Sequence, residues 1–65
     1  MLTKKNVSIL LIEDNPADAK LVEVYLGESP LLQARIERAT ELRKGMLMLE
    51  EKDFDIVLLD LTLPD

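Results

Sequence analysis

The stretch Val7-Ser8-Ile9-Leu10-Leu11-Ile12-Glu13-Asp14-Asn15-Pro16 decides how this chain folds. It begins as a run of β-branched and aliphatic residues and stops abruptly at two acids, an Asn and a Pro. Ile9 to Ile12 do not alternate with polar residues, so both faces of this strand are expected to be covered, as in the interior of a parallel sheet. A helix is expected to follow at once. Asn15 suits its N-cap, Pro16 its first turn, and Asp18 puts negative charge at the positive end of the helix dipole. Between Ala17 and Glu28, the residues Ala17, Leu21, Val24 and Tyr25 share one face while Lys20 and Glu23 point the other way. Gly27, Ser29 and Pro30 end the helix.

Downstream, Ala34-Arg35-Ile36-Glu37-Arg38-Ala39 alternates apolar and charged residues, the pattern of an edge strand with one face toward water. Arg35 and Arg38 read there as solvated. Thr40 is the expected N-cap of a second helix, with Leu42, Gly45, Met46 and Leu49 at helical spacing on its inner face and Met46 and Met48 read as packing residues. Glu50, Glu51, Lys52 and Asp53 close it. Asp55 then leads into Ile56-Val57-Leu58-Leu59-Asp60-Leu61, a second run without alternation and so a second interior strand. The order strand, helix, strand, helix, strand with right-handed crossovers predicts an α/β fold with a parallel sheet in the order β2-β1-β3, the start of a doubly wound sheet. That order leaves the third strand, apolar on both faces, without a neighbour on one side. Stable proteins avoid such an edge. The expectation is therefore a longer domain or a partner that completes the sheet.

Composition narrows the function classes. The chain has 65 residues, enough for one domain, and a core of this size seldom supplies more than roughly 3–5 kcal/mol without staples. It contains neither Cys nor His, so disulfides and thiolate or imidazole zinc sites are excluded. Apolar residues at 48% and charged residues at 32% mark a globular chain. A net charge of −5 argues against nucleic-acid binding, since no basic stripe replaces phosphate counterions. The longest apolar run is four residues, far from the roughly 20 needed to span a bilayer. With no signal-peptide pattern after Met1-Leu2-Thr3-Lys4-Lys5-Asn6, a cytoplasmic location is the expectation.

The chemistry sits in three acids. Open parallel sheets bind ligands beyond the carboxyl ends of their strands. Glu13 and Asp14 follow the first strand there and Asp60 lies near that end of the third, so the three carboxylates are expected to converge. Like charges so placed repel unless a cation lies between them. Their hard oxygens suit Mg2+, which takes one or two carboxylates, waters and a phosphate oxygen. A carboxylate can also act as a nucleophile toward phosphorus, and Asp60, standing apart from the pair, is the better candidate. Taken singly, a Glu-Asp pair before Asn-Pro is ordinarily a solvated loop, Asp60 a strand-end turn residue, Thr62 a turn residue and Pro64 a strand stop. Only the three acids together rise above these readings.

At this point the chain is recognisable. Ile9-Leu10-Leu11-Ile12-Glu13-Asp14-Asn15-Pro16 resembles the first strand and acidic pair of response-regulator receiver domains, and Asp55-Ile56-Val57-Leu58-Leu59-Asp60-Leu61-Thr62-Leu63-Pro64-Asp65 resembles their third strand and phosphorylation site. The resemblance runs over all 65 residues. It implies the amino-terminal half of a flavodoxin-like receiver, with Asp60 as phosphoacceptor, Asp14 as direct Mg2+ ligand, Glu13 as its acidic neighbour, Thr62 as a ligand through its backbone carbonyl, and Pro64 shaping the loop. It further implies a phosphodonor, either a histidine kinase, a phosphotransfer protein or a small phosphorylated molecule. Receiver domains continue for two more strands and three more helices, which carry a hydroxyl residue and a lysine that engage the phosphoryl group. The expectation is therefore that these residues alone accept phosphate poorly.

Other readings compete with this one. The apolar edge of the third strand could pair with a second copy, making the chain an oligomerisation element without phosphate chemistry; a folded monomer in sedimentation would count against that. An aspartate-nucleophile phosphatase of the haloacid dehalogenase type needs a second acid where Thr62 stands and its nucleophile after the first strand. A dinucleotide site needs a Gly-rich turn where Glu13-Asp14-Asn15-Pro16 stands. The chain is therefore read as a phosphoacceptor and not as an enzyme.

Overall fold

The computed structural model describes residues 3–60. Strand β1 (Lys5–Ile12) leads into helix α1 (Pro16–Gly27), strand β2 (Leu32–Ala39), helix α2 (Leu42–Glu51) and strand β3 (Ile56–Leu59). The sheet is parallel in the order β2-β1-β3, the opening of the flavodoxin-like α/β arrangement anticipated from the two non-alternating runs. Among the described residues no helix is long and apolar enough to cross a membrane.

Strand β1 is the centre of the molecule. Ile9, Leu10, Leu11 and Ile12 are all buried, Leu10 completely, because β1 has a strand on each side and a helix over each face. Alternate residues point to opposite faces. On one face Leu10 and Ile12 join Ala39, with Leu42 and Met48 of α2 and Phe54 packed against them. Reversing the direction of travel between two right-handed crossovers puts α1 on the other face, that of Ile9 and Leu11. The ladder also begins earlier than its apolar run: Lys5 pairs with Leu32, and its N–H donates to Leu31 O at 2.9 Å. Backbone pairing needs no apolar side chain.

Gly45 sets the distance between α2 and the sheet. A Cβ there would collide with Ile12 Cδ1 and approach Ile12 Cγ1 to 2.8 Å. The helix therefore sits close over Ile12, the residue that immediately precedes Glu13. At the far end of the sheet, Asp55 fixes the start of β3, donating its N–H to Ser8 O and accepting from Ser8 N–H through Oδ2, each at 2.8 Å.

Several expectations need correction. In α1 the face pressed toward the sheet carries buried Ala19 with half-buried Val22, Glu23 and Leu26, while Ala17, Leu21, Val24 and Tyr25 are exposed. A small residue at the contact lets the helix approach, and the larger apolar stripe has no element above it among the described residues. In α2 the inner residues are Leu42, Gly45 and Met48, whereas Met46 and Leu49 face outward. The close seat at Gly45 makes its face the one against the sheet and leaves Met46 and Leu49 exposed. The cap of α2 is Glu41, not Thr40, and its side chain makes no capping hydrogen bond. Its carboxylate instead lies 3.4 Å from Lys44 Nζ, near the positive end of the helix. Strand β3 is the edge that the order β2-β1-β3 implied, with β1 its one neighbour among the described residues; what differs is its apolar run, read as buried, in which Ile56, Val57 and Leu59 are exposed.

Candidate metal centre at the strand ends

Two strand ends and one turn build the acidic site. In the register of the parallel β1–β3 pair, Ile12 lies opposite Leu59, so the next residues, Glu13 and Asp60, emerge side by side. The pairing runs one step past the strands, because Asp60 N–H donates to Ile12 O at 3.1 Å. On the other flank Glu13 N–H donates to Ala39 O at 2.9 Å, which extends the β1–β2 ladder equally far. The end of β1 is thus held on both sides, Ile12 to β3 and Glu13 to β2; Glu13 is buried, Asp60 half-buried and Asp14 exposed.

The turn into α1 is set by Asn15, as its sequence suggested. Its Oδ1 accepts from Ala17 N–H at 2.8 Å and from Asp18 N–H at 3.1 Å, satisfying two of the otherwise unpaired amides of the first turn. Asn15's own N–H donates to Glu13 Oε2 at 3.2 Å. This folds the Glu13 side chain back over the turn and toward Asp60.

One carboxylate oxygen from each of Glu13, Asp14 and Asp60 lies within 4.8 Å of the others. The electrostatic consequence falls on Glu13. The Asn15 amide bonded to it pulls its pKa down, but burial, Asp60 through hydrogen bonding and charge, and Asp14 together push harder in the other direction. The Glu13 carboxyl accordingly stands above its ordinary 4.5. Three hard oxygens at this separation, one of them on a carboxyl that resists ionising, fit a small divalent cation that removes the repulsion. Glu13, Asp14 and Asp60 are the residues that could hold such an ion. Thr62 and Pro64, assigned a carbonyl ligand and a loop-shaping role by the resemblance, lie outside the described residues.

Arg38 was missed. Read as a solvated edge-strand residue, it is indeed exposed, yet it also donates from Nε to Glu13 O at 3.0 Å and from Nη2 to Asp14 O at 3.2 Å. The signal available was positional: Arg38 pairs with Leu11 in the register, two residues short of Glu13 on the adjacent strand. Another cleft, of about 370 Å³, lies at the opposite end of the sheet among Lys5, Asn6, Val7, Leu32, Asp55 and Ile56. It is remote from the acids, and its one acid, Asp55, is engaged with Ser8.

No protein-family model, no curated protein and no solved structure matches this chain.

Proposed function

We propose that this chain supplies the phosphate-accepting site of a two-component receiver, with Asp60 as phosphoacceptor and Mg2+ as cofactor. The observation that supports this most directly is the approach of the Glu13, Asp14 and Asp60 oxygens to within 4.8 Å at the carboxyl ends of neighbouring parallel strands. In the proposed reaction an Asp60 oxygen attacks the phosphorus of a phosphohistidine on a histidine kinase or phosphotransfer protein. An oxygen–phosphorus bond forms, giving an acyl phosphate, and the phosphorus–nitrogen bond breaks. The imidazole leaves with the bonding pair and takes up a proton. Bound Mg2+ supplies neutralisation of charge on the phosphoryl oxygens. Glu13 and Asp14 would hold the ion, the Asp60 N–H bond to Ile12 O sets Asp60 beside them, and the Thr62 carbonyl is a further proposed ligand.

On this reading the chain is a phosphoacceptor and not an enzyme with a substrate of its own. Its partner is the phosphodonor, with neither nucleic acid nor membrane contacted by this segment, and the cytoplasm is its proposed location. Incubation with acetyl phosphate tests the reading by intact-mass measurement. The expected result is slow gain of a single phosphoryl group that needs Mg2+ and stops when EDTA is added. Labelling that proceeds equally well in EDTA, or no labelling at all, would contradict it.

A further inference from the structure

We infer that Arg38 is a positioning residue for the acidic site: its guanidinium holds the backbone of Glu13 and Asp14 so that their carboxylates meet Asp60 at cation-binding separation. The inference rests on the metal-site reading above and assigns a residue to it that no acidic motif contains.

The geometry is specific. Arg38 leaves the carboxyl end of β2 and reaches across to the turn that follows β1, placing Nε 3.0 Å from Glu13 O and Nη2 3.2 Å from Asp14 O. Two donors of one rigid planar fork thus meet two consecutive carbonyls. An ammonium group cannot reproduce this, because it lacks that fixed spacing. The turn is under electrostatic load, since three carboxylates crowd within 4.8 Å and their repulsion acts to splay them. Glu13 is anchored through its N–H to Ala39 O, whereas Asp14 is exposed and already past the ladder. The fork ties the Asp14 carbonyl, and with it the peptide unit that follows Asp14, back to β2.

Arg38 could affect a cation in two opposed ways, and their signs differ. As a nearby positive charge it repels Mg2+, so removing it would tighten binding. As a clamp it pre-sets the ligands, so removing it weakens binding. Outer-shell groups that orient ligands typically cost about tenfold or more in metal affinity when lost.

The test is Mg2+ titration of the chain and of Arg38→Ala and Arg38→Lys, followed by the amide resonances of Glu13, Asp14 and Asn15. Melting in EDTA is recorded for each variant. The clamp predicts that both variants bind Mg2+ about tenfold more weakly, Lys included although it keeps the charge. Tighter binding by Arg38→Ala, or unchanged binding by Arg38→Lys, would overturn it. Should Arg38→Ala fail to fold, Arg38→Lys decides alone. An unsubstituted chain that takes up no Mg2+ would instead sink the metal-site reading itself, an outcome distinct from parity among the three proteins.

Discussion

Replacing Leu10 with Ala leaves the chain largely unfolded at room temperature. Leu10 is completely buried at the centre of β1, between two strands and under α2. Truncating a Leu at such a position costs about 2–5 kcal/mol, the transfer loss plus the cavity left behind. A core of this length supplies roughly 3–5 kcal/mol in total, so one substitution removes most or all of it. The contrast is Tyr25→Ser in α1. Tyr25 is 68% exposed, and a surface change of that kind stays within about 0.5 kcal/mol. Thermal melts followed by circular dichroism read both. A cooperative Leu10→Ala melt close to that of the unsubstituted chain would mean that β1 is not the core.

Asp60→Asn abolishes phosphoryl labelling and, in the absence of metal, raises the melting temperature. An amide offers no carboxylate to form the acyl phosphate, so labelling is lost completely. The gain in stability follows from charge. Glu13 has a folded-state pKa above its ordinary 4.5, partly through Asp60. In the pH window just above 4.5 the folded chain therefore binds more protons than the unfolded one. Stability then falls as pH rises through that window and is greater on its acid side. Removing the Asp60 charge relieves one cause of the shift, so the metal-free variant should melt a few degrees higher at neutral pH and depend less on pH through that window. Residual labelling of Asp60→Asn would move the phosphoacceptor elsewhere. A lower melting temperature would show that the three acids do not repel.

The sheet was legible because its signals are side-chain patterns. Two non-alternating runs, Ile9 to Ile12 and Ile56 to Leu59, and one alternating run ending at Ala39 gave strand identity, order and the exposed edge of β3. Asn15 was legible because an Asn before a Pro leaves the backbone few alternatives. The acidic triad followed from topology, since parallel neighbours must end together. The inner faces of the helices did not follow. Leu21, Val24 and Tyr25 have helical spacing, yet contact goes to Ala19, which is small enough to sit against a sheet. Gly45 similarly fixes α2 through steric closeness to Ile12, a feature that hydrophobic periodicity does not register. Arg38 escaped for a different reason: its partners are two backbone carbonyls, and no residue-type pattern marks a carbonyl.

The proposed phosphoryl acceptance at Asp60 requires Glu13, Asp14 and Asp60 to share one divalent ion, and paramagnetic Mn2+ added below stoichiometry to the isotopically labelled chain tests this most directly. The amide resonances of Glu13, Asp14, Asn15 and Asp60 should broaden first and together, while those of Lys5 and Asp55 at the opposite end of the sheet stay sharp, and excess Mg2+ should restore them. Broadening that favours the surface acids Glu50, Glu51 and Asp53, or that separates Asp60 from Glu13 and Asp14, would contradict the shared site.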